Sequence, residues 1–425
     1  MSVSAIGCPD LSSLYQSLDE NPSALEAQLS SLLEQCSQSS EYFALLGAAQ
    51  LASGDLFQAL ENLELALLIN PDNGAAIVDY AEVLFRQGQV LNAIEINEQL
   101  IGRENLPEGL RAALNARQSR WSSSRIRKNF SLAGFVGFDD NLNSAPISDQ
   151  LSLTLSGKSV TLDVSPEYQA KGGGFSRLVT NASYRRLGQT VNSRLSAQVS
   201  ARFAEDSSYE LVQASAQAGL AQASDQPRWD SVIGLDHVVF GGNTIYSSST
   251  ARARFVVKQT DSCGFYPRFA VQYQYFHTQR TLSGLETAVG LGMDCNFFTG
   301  NRANRLALEL TSLTNRATEK NRLGRDRDGW RLNLIWRRPV GAGELLGQYV
   351  LTSLEDEAGY SPLFDLGAKR KESLNSVFLQ YMRPLSNRSR TAQFFANLSY
   401  HSQDSTINLF KTRGTSIEIG INWGF

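Results

Sequence analysis

From residue 129 to residue 425, polar and apolar residues alternate in segments about ten residues long. One such segment, residues 194–203, places Leu195 on one face and Arg194 and Arg202 on the other. A period of two residues is that of a β-strand, and segments of this length are typical of strands that cross a membrane in a barrel. The chain has no apolar run of ~18 residues, which excludes a helical membrane protein. The alternation therefore predicts a transmembrane β-barrel.

Fourteen segments of this kind can be counted. An even number of strands is usual for bacterial outer-membrane barrels and predicts that both termini lie on the periplasmic side. Residues 159–169 alternate as well, but a fifteenth strand would break this parity, so we assign them to a long first loop. The predicted strands are residues 129–139, 175–187, 192–204, 209–222, 227–239, 245–257, 264–277, 284–297, 303–316, 328–338, 343–355, 372–384, 390–402 and 413–425.

The last of these strands carries an additional signal. Five apolar residues alternate with polar or small ones up to an aromatic final residue, namely Ile417, Ile419, Ile421, Trp423 and Phe425. This pattern is similar to the terminal strand signal by which the barrel-assembly machinery recognises its clients. We therefore expect that machinery and outer-membrane lipids among the partners, and a location in the bacterial outer membrane.

The N-terminal third has a helical period and an internal repeat. Residues 42–73 and 76–107 match each other after a shift of about 34 residues, the length of a tetratricopeptide unit. Small residues are needed where the two helices of a unit pack closely, glycine permits the tight turn between them, and proline stops the second helix. The matching positions are Gly47, Gly54, Ala59, Ala66 and Pro71 in the first repeat and Ala81, Gly88 and Ala93 in the second.

Residues 12–35 look like a more divergent helix pair, which would supply the third unit that a solenoid generally needs for stability. We therefore predict a helical-repeat domain over residues 1–120, a short basic linker over residues 121–128 and the barrel over residues 129–425. The fold class is an all-α tetratricopeptide-type domain followed by a 14-stranded antiparallel transmembrane β-barrel. The repeats would bind a partner in their concave groove or, alternatively, act as a rigid spacer.

Charge and cysteine content narrow the possible functions. A net charge of −3 gives no reason to expect nucleic-acid binding. The four cysteines fall two in each domain, as Cys8 and Cys36 and then Cys263 and Cys295, and an even number is compatible with disulfides in an exported protein. Cys263 and Cys295 lie at the ends of two consecutive predicted strands, where they would form either a disulfide across the hairpin or two isolated thiols.

No sequence pattern indicates catalysis. The three histidines, His237, His277 and His401, lie on separate strands or strand ends, and neither a nucleophile elbow nor a paired-histidine metal motif is present. We therefore expect no catalytic residues, no cofactor and no metal, and a monomeric protein that is not an enzyme.

A polar segment follows the first predicted strand and contains Asp139, Asp140, Asn141 and Asn143. Their oxygen atoms are of the kind that Ca²⁺ prefers, but the chain has no twelve-residue calcium loop, and Asp and Asn also favour turns. We favour a structural role for these residues, in closing the strand into its loop.

With its neighbours, this segment reads Gly137-Phe138-Asp139-Asp140-Asn141-Leu142-Asn143. It resembles the Gly-aromatic-Asp-Asp-Asn-Val-Asn segment at the barrel entry of the surface lipoprotein assembly modulators, the Slam proteins of type XI secretion. That family also places periplasmic helical repeats before a fourteen-stranded barrel, so the architecture extends the resemblance along almost the whole chain. The repeat domain is short here, which is more like the members that serve small soluble clients.

The resemblance implies a translocon that secretes or displays a specific client protein, either a surface lipoprotein or a soluble haem- or iron-binding protein. The C-terminal barrel-like domain of the client would be recognised, the repeats would meet the client in the periplasm, and the barrel would provide or gate the passage. Nutrient acquisition or host colonisation would be the setting.

The polar faces of the strands suggest two other functions. Charged residues that line a pore can favour ions of the opposite sign, and five arginines would face the lumen in the assigned register. The chain would then export an anionic exopolysaccharide, since such exporters also fuse helical repeats to a barrel, although their repeat arrays are longer. A specific nutrient porin is a third possibility, but it leaves the repeats unexplained. The five residues are Arg194, Arg202, Arg268, Arg331 and Arg337.

Overall fold

The computed structural model describes residues 8–224, 227–299, 302–385 and 392–425. The first seven residues of the predicted repeat domain and residues 390–391 of a predicted strand lie outside these ranges. Two compact units divide the chain: Met1–Arg127 with Arg186–Gln189, and Lys128–Arg185 with Thr190–Phe425. No helix in the described ranges has the length and apolar character needed to cross a membrane.

The first unit is helical. A 3-10 turn, Ser12–Leu14, precedes eight α-helices in the described residues. The bounds are α1 (Tyr15–Glu20), α2 (Pro22–Ser30), α3 (Leu33–Cys36), α4 (Ser40–Ser53), α5 (Leu56–Ile69), α6 (Gly74–Arg86), α7 (Val90–Ile101) and α8 (Glu108–Ser123). Residues 121–128 are predicted to be a linker, but α8 ends at Ser123 and the first strand begins at Ile126, so helix and strand occupy most of this segment.

The predicted repeat signature explains how α4 packs on α5 and α6 on α7. Gly54 caps the end of α4 and Gly88 follows the end of α6. Their φ angles are 90° and 86°, which residues other than glycine rarely adopt. At Gly47, a Cβ would lie 2.6 Å from Cγ of Leu63, so only glycine allows the two helices to approach this closely. The small residues Ala59, Ala66, Ala81 and Ala93 are fully buried between helices, and Pro71 follows the end of α5.

The second unit is built from strands. The described residues form seventeen: β1 (Ile126–Asp139), β2 (Gln150–Leu155), β3 (Lys158–Asp163), β4 (Gly173–Arg186), β5 (Val191–Ala204), β6 (Leu211–Gln222), β7 (Trp229–Phe240), β8 (Asn243–Phe255), β9 (Lys258–Gln259), β10 (Cys263–Phe276), β11 (Gly284–Thr299), β12 (Arg302–Ala317), β13 (Arg327–Val340), β14 (Gly343–Gly359), β15 (Lys369–Pro384), β16 (Ala392–Ser405) and β17 (Thr412–Gly424).

Fourteen of these strands form the barrel, which confirms the predicted fold class. Each pairs with its neighbours along the chain, β10 pairs with β11, and β17 pairs with β1 to close the ring. The strands β2 and β3 form a separate hairpin within the first loop, as the parity argument predicts, and β9 is a short addition beside β10. We call the end of the barrel that contains Asp139 the loop rim and the end that contains Phe425 the terminal rim.

The outward face of the barrel is apolar and exposed. Val136 is 60% exposed, Ile233 63% and Leu291 71%, and each of them lies on the apolar face of its strand. A soluble protein rarely leaves so continuous an apolar surface in contact with water. Exposed aliphatic residues around an otherwise polar-lined barrel are those of a wall that faces lipid.

Candidate functional site

The barrel closes where its first and last strands meet, and we call the ladder between β1 and β17 the seam. Nine residue pairs form it, from Ser131 opposite Gly424 to Asp139 opposite Ser416. Beyond the ladder, the backbone N–H of Phe425 donates to the carbonyl of Phe130 at 2.8 Å, and their rings lie 5.9 Å apart. The terminal residues of the predicted assembly signal, Ile421, Trp423 and Phe425, thus belong to the seam.

An ion pair crosses the seam on the inner wall. Arg177 of β4 is paired with Glu418 of β17 although β1 lies between their strands. Gly137, which lies opposite Glu418, makes this possible, because a Cβ there would lie 2.7 Å from Phe175 and 2.9 Å from Cβ of Glu418. Asn397 of β16 also donates to Glu418, at 2.7 Å. We call Arg177, Glu418 and Asn397 the seam clasp.

Asp139 anchors the loop-rim end of β1. Its carboxylate accepts a hydrogen bond from the backbone N–H of Asn141 at 2.8 Å and lies 3.6 Å from the guanidinium of Arg202 on β5. Arg202 donates in turn to the carbonyls of Leu142 and Tyr209. The arginine predicted to line an anion path is therefore engaged in holding the end of β1.

Asn141 is 2% exposed and ties the same segment together. Its side-chain amide donates to the carbonyls of Ala145 and Arg413, at 3.0 and 2.8 Å, and its side-chain oxygen accepts from the N–H of Ala145 at 2.9 Å. Since Arg413 belongs to β17, this one side chain joins the first loop to the last strand.

The two remaining polar residues of the segment are also engaged. Asp140 accepts from the N–H of Thr415 at 2.7 Å, and Asn143 accepts from the N–H of Lys171 at 3.0 Å. One side-chain oxygen of each of these four residues therefore accepts a hydrogen bond within the chain, which is the arrangement that the structural role predicts. Phe138, the aromatic residue of the segment, points outward and is 56% exposed.

Most of the predicted lumen arginines have a carboxylate partner, which the sequence reading overlooked. Arg202 is paired with Asp139, as described above, and Arg268 is paired with Glu309. Two further pairs are Arg331 with Glu286 at 3.6 Å and Arg337 with Glu344 at 3.9 Å. Arg194 forms no ion pair within the described residues and lies against Gly219. The acidic residues alternate onto the same lumen-facing side of the strands as the arginines. That shared pattern is the sequence signal from which the ion pairs could have been predicted.

A second buried network lies on β14 and β15 near the loop rim. Asp356 is 1% exposed and accepts two hydrogen bonds from Arg370, both 3.1 Å long. Arg327 of β13 is paired with Asp356 and with Glu372. Charges buried this deeply are tolerated because each has a partner of opposite sign.

The hairpin of β2 and β3 contacts the loop between β14 and β15. The N–H of Thr154 donates to the carbonyl of Leu363 at 2.8 Å, and the N–H of Leu366 donates to the hydroxyl of Thr154 at 3.3 Å. Leu366 adopts a left-handed backbone conformation with φ of 58°. The first loop therefore extends over the loop rim to strands that are not its neighbours in the ring.

Both cysteine pairs are disulfides. Cys8 is bonded to Cys36 in the helical unit, and Cys263 is bonded to Cys295 between β10 and β11, where the two residues lie opposite each other. The second bond is at the terminal rim, so it fastens the hairpin at the end away from its loop.

Two of the three histidines lie together, which the sequence reading missed. The hydroxyl of Ser247 is 2.8 Å from Nδ1 of His237 and 2.8 Å from Nε2 of His277, and both rings are exposed on the outward face. His401 points to the inner side on β16, opposite Gly414. The described residues contain no group of three or more His, Cys, Asp or Glu arranged to hold a metal ion.

The helical unit has a charged site on α6 and α8. Burial raises the pKa of Asp79 to about 6, an effect that the nearby Arg117 opposes and Glu82 increases. The guanidinium of Arg117 lies 4.5 Å from the ring centroid of Trp121 and donates to Asn97 at 2.8 Å. The helix α6 is the first helix of the second repeat, and first helices line the concave face of a repeat array.

Comparisons with known proteins give separate matches for the helical part and for the barrel. Residues 50–114 match the family model of the tetratricopeptide repeat. No curated protein matches the chain. Among solved structures, the helical part is similar to the Yersinia enterocolitica type III secretion chaperone SycD in complex with a peptide of the translocator YopD, with 16% identity over 26% of this chain and 87% of that one and a TM-score of 0.24.

The barrel is similar to two other solved structures. One is an anion-selective porin from Comamonas acidovorans, with 11% identity over 71% of this chain and 99% of that one and a TM-score of 0.36. The other is a bacterial polysaccharide outer membrane secretin, with 9% identity over 70% of this chain and 98% of that one and a TM-score of 0.34. Likenesses at these levels carry no argument about function.

Proposed function

We propose that the protein is a bacterial outer-membrane translocon that secretes or displays a specific client protein. The repeat domain would meet the client in the periplasm, and the barrel would provide or gate its passage. Tetratricopeptide repeats bind peptides or proteins in their concave groove and perform no chemistry, and a passive pore has no need of such a domain. The exposed apolar wall of the barrel supports the membrane location.

The observation that carries the proposal is the place of the segment Gly137–Asn143. This segment, which resembles that of the Slam proteins, lies where β1 leaves the seam, and its polar side chains hold β1 to β17 and to the first loop. Gly137 leaves room for the seam clasp. A segment devoted to the closing strands favours a barrel whose seam takes part in function, because a porin needs only a stable wall.

The paired charges of the inner wall argue against the polysaccharide exporter. An exporter of an anionic polysaccharide needs unpaired positive charge along its path, whereas four of the five predicted arginines are within 4.0 Å of a carboxylate. Conductance of the purified protein in planar bilayers measures this directly. We expect little preference between chloride and potassium, and strong anion selectivity would favour the polysaccharide exporter or a porin.

Secretion is tested by co-expression in a heterologous host. The protein is produced together with the genes that neighbour its own, and the medium and cell surface are examined for a protein that appears only when the translocon is present. If exported polysaccharide depends on the protein and no client protein does, the proposal fails.

A disulfide across the seam tests whether the seam must open. Val136 and Ile419 lie opposite each other on the outward face, so the double variant Val136→Cys, Ile419→Cys locks β1 to β17. The matched control, Leu332→Cys with Leu351→Cys, locks β13 to β14. We expect the seam lock, but not the control, to stop secretion until a reductant is added; full secretion by the oxidised seam variant would refute a route for the client between β1 and β17.

A further inference from the structure

The N-terminal segment Leu11–Glu20, which we call the strap, lies against the first helix of the first repeat. We propose that the strap occupies the client groove of the repeat domain, and that the groove accepts from the client a short amphipathic helix in its place. This inference rests on the proposed function and specifies the partner of the repeat domain: a helical segment with aliphatic residues along one face.

The burial of α4 is the first line of evidence. In a tetratricopeptide array the first helices of the repeats line the concave face, which is open to a ligand. Yet Ala44, Ala48 and Leu51 of α4 are only 2%, 7% and 7% exposed. The equivalent residues of α6, 34 positions later in the repeat, are half-buried. Something therefore covers α4 that does not cover α6.

The strap shares this cover with α2, whose Leu25 and Leu29 belong to the same core cluster. Leu11 is 4% exposed and belongs to the same core cluster as Ala44 and Leu51, and Leu14 and Leu18 pack against that cluster. Spacings of three and four residues place these leucines on one face of a helix. The intervening polar residues of the strap are exposed: Ser12, Ser13, Gln16, Asp19 and Glu20.

Tyr15 agrees with this position of the strap. Its pKa is raised by burial and then by the carboxylates of Glu41 on α4 and Asp79 on α6, so charges of both helices act on its hydroxyl. These are the first helices of two successive repeats, so a strap beside both agrees with the position that the buried leucines indicate. The small side chains of Ala44 and Ala48 allow a helix to approach closely there.

The strap is a weak helix held by its attachments. The helix α1 has six residues, far fewer than an isolated helix needs in water. The disulfide between Cys8 and Cys36 fixes the N-terminal end of the strap to the end of α3. A covalently attached segment competes at an effective concentration of roughly millimolar, so a weakly binding client is excluded while the strap is docked.

The inference is tested by the binding of a separate peptide, which has the strap sequence, to the full-length protein in detergent micelles. The probe is a fluorescent synthetic peptide with the sequence of residues 9–21. The released variant carries Cys8→Ser and Cys36→Ser to remove the disulfide and Leu14→Asp and Leu18→Asp to undock the strap. We expect it to bind the probe saturably and at least about tenfold more tightly than the oxidised wild type. A control peptide with aspartate in place of its three leucines should bind to neither protein.

The fold of the released variant is checked by hydrogen exchange. Amides of α4 should exchange faster than in the wild type, whereas those of α6 and α7 should be unchanged. If α6 and α7 also lose protection, the released variant is replaced by the variant Cys8→Ser, Cys36→Ser with intact leucines. We expect this variant to bind the probe more weakly than a folded released variant would, but more tightly than the oxidised wild type. Equal binding by a folded released variant and the wild type would overturn the inference. Because the probe derives from this chain, the result is independent of whether secretion is observed.

Discussion

Arg177 and Glu418 are paired across β1, with Gly137 directly beneath the crossing. Their side chains are 25% and 11% exposed, so solvent screens the pair only in part. Separating β1 from β17 moves Glu418 away from Arg177 as well as breaking the backbone ladder. The seam clasp is therefore an additional barrier to opening, and it is one that single substitutions can remove.

The first prediction concerns the strength of this clasp. In a double-mutant cycle with Arg177→Gln and Glu418→Gln, we expect a coupling energy of about 1–3 kcal/mol for the unfolding of the barrel, because each single variant leaves the other charge buried and unpaired. Urea unfolding of the protein in detergent measures it. The more exposed pair Arg316 and Asp326 is the control and should show a weaker coupling, because water screens it. A clasp no stronger than this control would contradict the prediction.

The second prediction concerns Gly137. We expect Gly137→Ala to destabilise the barrel by about 1–3 kcal/mol, since the new Cβ meets Phe175 and Glu418 in a packed wall. The electrophoretic shift between folded and heat-unfolded protein should occur at a lower temperature. Gly134→Ala, on the same strand, is the matched control because its Cβ would only contact Leu178 at 3.8 Å. If both variants behave alike, close packing at Gly137 is not the reason for the glycine.

The third prediction separates the structural and calcium interpretations of the polar segment. Replacing Asn141 with alanine leaves a buried N–H and two buried carbonyls without their partner, so we expect a loss of about 1–3 kcal/mol in barrel stability. A chelator added to the wild-type protein should leave its unfolding unchanged, since hydrogen bonds within the chain already hold the side chains of the segment in place. Chelator-induced destabilisation would instead support a bound cation.

The fourth prediction is a pH dependence of the helical unit. The pKa of Asp79 is raised by burial from 3.8 to about 6, so between these values the folded state binds more protons than the unfolded state. Stability therefore falls as pH rises from about 4 to about 6, by on the order of 2 kcal/mol, and is fully recovered below the unfolded pKa. Thermal unfolding of the helices, followed by circular dichroism, should show this fall.

Two variants check that Asp79 is the cause. Asp79→Asn should remove this pH dependence, because the amide does not titrate. Asp72→Asn should preserve it, since the Asp72 side chain is 90% exposed. Persistence of the same slope in Asp79→Asn would assign the effect to another group.

Much of the fold is local information and could be predicted. The alternation in each strand is set by which side chains face lipid and which face the lumen, so it can be read strand by strand, and the parity argument placed the β2 and β3 hairpin in a loop. Strand ends are less local. β1 begins at Ile126 and β14 continues to Gly359, beyond the predicted 129 and 355, because ladder hydrogen bonds continue where the membrane no longer requires apolar residues.

The candidate site could be predicted only in part. The segment Gly137–Asn143 stood out as a motif, but its partners Arg413 and Thr415 are more than 270 residues away in the chain. The helices α1 and α2 lie where a divergent helix pair is predicted, but leucine spacing shows only that a helix has an apolar face and not which surface that face covers. The pair of His237 and His277 escaped notice for the same reason.

The sequence by itself determined that this chain forms helical repeats and then a membrane-spanning barrel, because periods of 3.6 and 2 residues are properties of single segments in contact with a core or with lipid. Only the tertiary structure decided which charges neutralise one another. Ring closure brings β17 beside β1, so Glu418 meets Arg177 above Gly137, which lies 281 residues before Glu418 in the chain. Attraction between charges depends on distance in space, and no local pattern records that distance.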